Sequence, residues 1–261
     1  MHYPYLMPDN GDDPLPAGWE VQEFSFGLPD HPSTIRIAVP PGPTALSRLV
    51  PLARALSDRV SQIALNQLHV EGHRLLCRRG CDACCHYLLP VSLPELFQFR
   101  REFAELGSST KYDRLRRFQS VAEAMVANPP EDDSAESLSC WHVGLGLACP
   151  MLQQKGCGAY RNRPLACREY AYIIADGPTP TAARLRLSVS YAEMMGTLHA
   201  TLTGQNDPEY VLFPLSFAWL DANPRRLDPV LPGGQLVRLF VEHVRAAALG
   251  HRPGEGTSRA G

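Results

Sequence analysis

Residues 77–85 read "CRRGCDACC", four cysteines in nine positions of a chain that has eight in 261 residues. The spacing is C-x3-C-x2-C-C. Wound as a helix at about 100° per residue, Cys84, Cys77, Cys81 and Cys85 fall at roughly −20°, 0°, 40° and 80°, so the four thiols share one side. Gly80 makes a loop leading into a short helical turn an equal alternative, and either form crowds the sulfurs. Cysteine as a packed hydrophobe suits this stretch poorly, because Arg78, Arg79 and Asp82 stand among the thiols. Disulfides suit it no better, since adjacent Cys84 and Cys85 seldom bridge each other. Thiolates gathered on a soft metal fit best, because a cation lets several like-charged sulfurs occupy one place.

Working outward, the segments on both sides carry helix and strand signatures. Upstream, "WEVQEFSF" (19–26) and "TIRIAVP" (34–40) alternate and flank the turn-rich "GLPDHPS", which predicts a β-hairpin closed by "PPGP" at 40–43. From Thr44 to about Val70, Leu46, Leu49, Val50, Leu52, Ala53, Leu56, Val60, Ile63 and Leu68 recur at helical spacing. Downstream, "SLPELFQFRREFAELG" (92–107) has Ser92 as a cap, Pro94 in the first turn and Glu95 completing a capping box. "KYDRLRRFQSVAEAMVAN" (111–128) predicts an amphipathic helix, and the acidic "NPPEDDSAESLS" (128–139) a linker loop. Beyond the last cysteine, "ARLRLSVSYAEMMGTLHATLTG" (183–204) reads as a helix, "YVLFPLSFAWL" (210–220) is ambiguous, and "GGQLVRLFVEHVRAAALG" (233–250) is a helix closed by Gly250. The expected fold is mainly α (α+β): a single cysteine-cluster domain over 19–250, with an N-terminal β-hairpin and a cluster built by loops. Residues 1–18 are expected to be a flexible arm and 251–261 a disordered tail.

The second cysteine block is "CPMLQQKGCGAYRNRPLACREY" (149–170), with Cys149, Cys157 and Cys167. Pro164 suits the first position of a short helix. That would put Cys167 in the first turn, where the helix dipole, Arg163 and Arg168 favour its thiolate. "GLGLACP" at 144–150 lacks the third glycine and the preceding strand of a dinucleotide loop.

Taken together, "CRRGCDACC" and the downstream "CPML…CGAYRNRPLACREY" resemble the YkgJ-type cysteine-cluster family, described as a zinc- or iron-chelating domain and also as an Fe–S-cluster-containing protein. The resemblance rests on Cys149, Pro150, Leu152, Cys157, Tyr160, Arg163, Pro164, Cys167 and Arg168. Tyr160 stands three residues after Cys157, and Met151 replaces an aromatic or leucine; neither departure touches a ligand position. The resemblance implies seven metal ligands, Cys77, Cys81, Cys84, Cys85, Cys149, Cys157 and Cys167, binding zinc or iron, the latter as an ion or as an iron–sulfur cluster. Cys140 lies outside the motif and reads as a packed or surface thiol. Seven thiolates exceed the four that close one zinc site, which leaves spare thiols, two ions with bridging sulfurs, or a cluster with thiols beside it. Flagellin lysine N-methylases carry a similar cluster, so the resemblance also admits an Fe–S-dependent redox or methyl-transfer enzyme, although the chain has no recognisable S-adenosylmethionine motif.

His86 and His142 flank the blocks and read as surface or hydrogen-bonded histidines, and Tyr87, Tyr160 and Tyr170 as shielding for the site. Glu95 and Glu169 have no evident carboxylate partner, so no acid/base pair is expected. Hydrophobic content of 44%, charged content of 20% and a formal net charge of −2 exclude a disordered chain and a polyelectrolyte that binds nucleic acid by bulk charge. The expected partner is a metal ion, with no membrane and no support for nucleic acid. Asp9, Asp12 and Asp13 sit where a signal peptide would be apolar, and no run of 18 apolar residues occurs, so a cytoplasmic protein with reduced thiols is expected.

Overall fold

The computed structural model describes residues 4–8, 14–26, 33–76, 80–132, 134–154, 156–175, 181–187 and 189–250. Near the N-terminus, β1 (Tyr5–Leu6), β2 (Glu20–Phe26) and β3 (Ser33–Val39) form an antiparallel sheet with β3 in the centre. The expected hairpin is present, with Phe24 opposite Ile35 and Gln22 opposite Ile37. Of the stretch read as a flexible arm, Tyr5–Leu6 pairs with β3 and Met7 is buried. The tail over 251–261 lies outside the described residues.

After β4 (Pro43–Ala45), a 3-10 turn over Leu46–Leu49 leads into α1 (Val50–Val70), so the helix starts later than the apolar spacing suggests. Its first half buries Val50, Leu52, Ala53 and Leu56, whereas Val60, Ile63 and Val70 are exposed. Gly72, at φ +86°, stops it: the left-handed position lets the His73 N–H reach back to the Leu68 carbonyl at 2.9 Å. Strand β5 (Arg74–Leu75) follows, then β6 (Pro90–Ser92) and α2 (Leu93–Ala104), whose capping box forms as expected. Helix α3 (Ser108–Ala127) begins three residues before the amphipathic stretch.

Two expectations fail. The acidic linker is half helical: α4 (Ala135–Gly144) starts inside it, because the Ser134 side chain accepts from the Ser137 N–H and caps a run without β-branched residues in its first turns. The stretch 183–204 is not one helix. After the short hairpin β7 (Leu152–Gln153) and β8 (Gly156–Cys157), strand β9 (Tyr170–Ala175) pairs in full register with β10 (Thr181–Arg186), and α5 (Tyr191–Thr203) starts only at the Ser190 cap. "ARLRL" alternates with period two: Leu185 stands opposite the buried Ala171 of β9, Leu187 is buried, and Arg184 and Arg186 are exposed. The ambiguous apolar run splits into β11 (Tyr210–Leu212), a 3-10 turn and α6 (Ser216–Ala222). Strand β12 (Val230–Pro232) pairs with β4 and leads into α7 (Gly233–Gly250), as expected for the last helix. The fold is thus mainly α with small sheets.

Two apolar cores result. One joins Ile35, Ile37 and Val39 of β3 to α1, α5 and α7, and includes Leu165. The other joins Val91, α2, Phe118, Met151 and Phe213, with Phe99, Phe103, Phe118, Phe213 and Phe217 in edge or tilted contacts of 4.6–5.9 Å. Cys149 and Cys157 pack against the second core, while Ala166, next to Cys167, packs against the first. The cysteine-bearing loops therefore run along the seam between the two. Among the described residues, no helix is long and apolar enough to cross a membrane.

Candidate metal centre

Gly80, at φ +86°, takes the backbone through a turn that an L side chain would strain. The chain then enters the 3-10 turn Ala83–His86, held by the Cys85 N–H on the Asp82 carbonyl at 2.8 Å. Over residues 80–86, the described part of this block, the chain is a loop leading into a short turn, one of the two expected forms. Cys81 is exposed, and Cys84 and Cys85 are partly buried. Cys77, with Arg78 and Arg79, lies outside the described residues.

The second block meets the first through the backbone. The Cys149 N–H donates to the Cys85 carbonyl at 2.6 Å, tying residues 64 positions apart. From Cys149 the chain turns through Met151, buried in the second core, into the β7–β8 hairpin, where Cys157 stands opposite Leu152. Two arginines of α3 brace this hairpin: Arg114 Nη2 donates to the Gly158 carbonyl at 2.7 Å and Arg117 Nη1 to the Leu152 carbonyl at 3.0 Å.

Cys167 ends a 3-10 turn, Leu165–Cys167, with Pro164 just before it. Two buried side chains set this turn. Glu95, which caps α2 by accepting from Ser92 N and Ser92 Oγ at 3.1 and 2.8 Å, uses its other oxygen to accept from the Leu165 N–H at 2.8 Å. Arg168 donates to Asp58 of α1 and to the carbonyls of Arg161 and Arg163, so the loop 161–167 is wrapped around one guanidinium. Sequence reasoning found the Glu95 cap but missed its second partner, and took Arg168 for a charge that offsets thiolates.

The thiols lie within electrostatic reach of one another. Burial pushes the Cys85 thiol up to about 11, with Cys157, Cys84, Asp82 and Cys81 adding to the rise. Burial likewise pushes Cys149 up to about 12, reinforced by Cys85 and Cys157 and opposed by backbone donors. Cys167 is raised well above its ordinary value by burial, then by Cys149; Arg163 opposes this, and Cys157 and Cys84 add to it. The expectation that the helix dipole, Arg163 and Arg168 favour a Cys167 thiolate is therefore overturned: the turn is too short for a useful dipole, Arg168 is engaged with Asp58, and desolvation outweighs Arg163.

Among the described residues, no three His, Cys, Asp or Glu side chains are already arranged to close on an ion. The six described thiols, Cys81, Cys84, Cys85, Cys149, Cys157 and Cys167, are neighbours whose ionised forms repel one another. A thiophilic cation fits this donor set, since it supplies the positive charge that would make these thiolates stable. Cys140 stands apart, exposed on α4. His142 is buried, its Nδ1 paired with the His86 carbonyl at 3.2 Å, while His86 itself is exposed. Burial lowers the His142 pKa. Glu169 is also buried and accepts from the Ala192 N–H at 3.0 Å at the start of α5; burial and the nearby Glu95 raise its carboxyl from 4.5 to about 7. Glu95 and Glu169 are thus neighbours, a relation invisible in the sequence, but both are used as caps.

Residues 76–188 match a protein-family model described as "CxxCxxCC: Putative zinc- or iron-chelating domain". No curated protein and no solved structure gives a significant match. The matched span, somewhat less than half of the chain, contains both cysteine blocks and the turns that present them.

Proposed function

We propose that Cys77, Cys81, Cys84, Cys85, Cys149, Cys157 and Cys167 form one thiolate-rich centre that binds zinc or iron, and that the protein's role is to hold or hand on that metal. The observation that carries this reading is the Cys149 N–H to Cys85 carbonyl bond at 2.6 Å, which joins the two blocks at their cysteines. The mutual electrostatic coupling of Cys85, Cys149, Cys157 and Cys167 supports it. A bound cation would supply the charge that lets these thiols ionise. Residues 19–250 serve as one domain around the centre, with the loop 161–167 fixed by Arg168 and Glu95.

A binding role is favoured over acid–base chemistry because the two buried carboxylates near Cys167 are committed to backbone N–H groups. Anaerobic purification followed by elemental analysis tests the proposal. Zinc in a colourless protein, or iron in a brown one, at one or more ions per chain supports it and selects the metal. A chain that takes up neither metal, even after anaerobic incubation with each, refutes it.

A further inference from the structure

The sheet formed by β10, β9 and β5, in that order, leaves β10 at an edge. Among the described elements, only β9 packs closely along it. Residues opposite one another in an antiparallel pair share a face, so Tyr170, Tyr172 and Ile174 of β9 share theirs with Arg186 and Arg184 of β10 and Arg74 of β5. The other face carries Ala171 and Ile173 into the interior. The outer face thus presents three exposed arginines, none in an ion pair among the described residues.

Two of these guanidinium groups are held in place. Arg184 lies 3.9 Å from the Tyr170 ring centroid and 5.7 Å from that of Tyr87. Arg186 Nε and Nη2 donate to Tyr170 Oη at 3.1 and 2.8 Å. Arg186 also feels the buried Glu169 carboxylate, without pairing to it. Stacking leaves the in-plane N–H groups of Arg184 available, and Arg186 keeps donors beyond the two it uses. A guanidinium fixed in this way loses less entropy when it takes up a carboxylate.

We propose that this edge is a docking site for an extended, acidic segment of a partner protein, added as a further strand beside β10. Arg184 and Arg186 are two residues apart on one face, about 6.7 Å along the strand, and acidic side chains at alternate positions of an extended peptide repeat at the same distance. The outward N–H and C=O groups of an edge strand select a polypeptide, because a polyanion such as nucleic acid cannot complete the ladder. Tyr87, one residue past the turn that carries Cys84 and Cys85, touches the same surface, so a docked segment would border the cysteine block. The edge and its charges do not depend on the metal reading.

The test uses the full chain and a fluorescein-labelled peptide of eight residues alternating aspartate with valine, followed by fluorescence anisotropy. Controls are a peptide with the same residues in two blocks and a labelled twelve-nucleotide thymidine strand. Saturable binding of the alternating peptide is expected, weakened about tenfold by Arg184→Gln or Arg186→Gln, the two exposed positions, with folding verified by circular dichroism. The blocked peptide and the oligonucleotide should bind at least about fivefold more weakly. No binding of the alternating peptide, binding unaffected by both substitutions, or equal or tighter binding of either control would overturn the proposal.

Discussion

Replacing Glu95 with glutamine probes the link between the fold and the candidate centre. The Glu95 carboxylate is 2% exposed, and its two oxygens serve three donors, Ser92 N, Ser92 Oγ and Leu165 N. Glutamine keeps one oxygen and turns the other into a donor. If the remaining oxygen stays on the capping box, the Leu165 N–H faces an NH2 group with little access to water. The loss of one buried hydrogen bond, with its donor left unsatisfied, costs about 2 kcal/mol, and weakening of the surviving charge-assisted bonds brings the total to about 3 kcal/mol. Urea unfolding followed by circular dichroism should therefore show Glu95→Gln destabilised by about 2–3 kcal/mol, with an unchanged m-value. Because Leu165 opens the turn that ends in Cys167, metal affinity should fall as well, by about tenfold if roughly half of that loss reaches the centre. The control is Asp228→Asn. Asp228 also accepts three bonds, from Ser47 N, Ser47 Oγ and Arg101 Nη2, but none comes from a cysteine-bearing segment. It should lose stability and keep its metal affinity. A Glu95→Gln protein with wild-type metal affinity would refute the claim that this carboxylate positions the Cys167 turn.

Other perturbations give distinct expected outcomes. Arg168→Lys should cost about 1–3 kcal/mol by thermal or urea unfolding, because an ammonium group cannot span Asp58 and two carbonyls. Asp58 is half exposed, so most of that cost should come from the carbonyls, and Asp58→Asn should be milder. Since the Cys85, Cys149 and Cys167 thiols are raised above the ordinary range, the metal-free protein should hold them protonated at neutral pH. The rise is read near pH 9, where a thiol at the ordinary 9.0 is half ionised: an ion bound through these three thiolates should still release about three protons, measured by calorimetry in buffers of different ionisation enthalpy, and release of about half as many would contradict the burial argument. Glu169 binds its proton more tightly in the fold, at about 7 against 4.5, so its contribution is fully present below pH 4.5 and lost as pH rises through 7. Stability relative to Glu169→Gln should therefore fall by about 3 kcal/mol across that window, as read from unfolding at successive pH values.

What could be read from the sequence was the local part of the structure. The S-x-x-E capping box fixed the start of α2 at Leu93, and the apolar spacing over 233–250 gave α7. The two cysteine blocks stood out by residue type alone. The failures share a physical cause. "ARLRL" became a strand because it pairs with β9, and a pairing partner is not part of a local pattern. The expected helix over 44–70 reaches Val70 but starts only at Val50, because Pro43–Ala45 pairs with β12 and a 3-10 turn takes Leu46–Leu49. Glu95 meets Leu165 across 70 positions, and Arg168 meets Asp58 across 110. These contacts place Cys167, and no spacing rule reaches that far.

Metal content per chain in Cys84→Ser, Cys167→Ser and Cys140→Ser, each purified anaerobically beside the wild type, tests most directly whether the two blocks form one centre. One centre predicts a large loss in Cys84→Ser and in Cys167→Ser, which sit in different blocks, and full content in Cys140→Ser. Wild-type content in either of the first two, or a loss in Cys140→Ser as large as theirs, would contradict it.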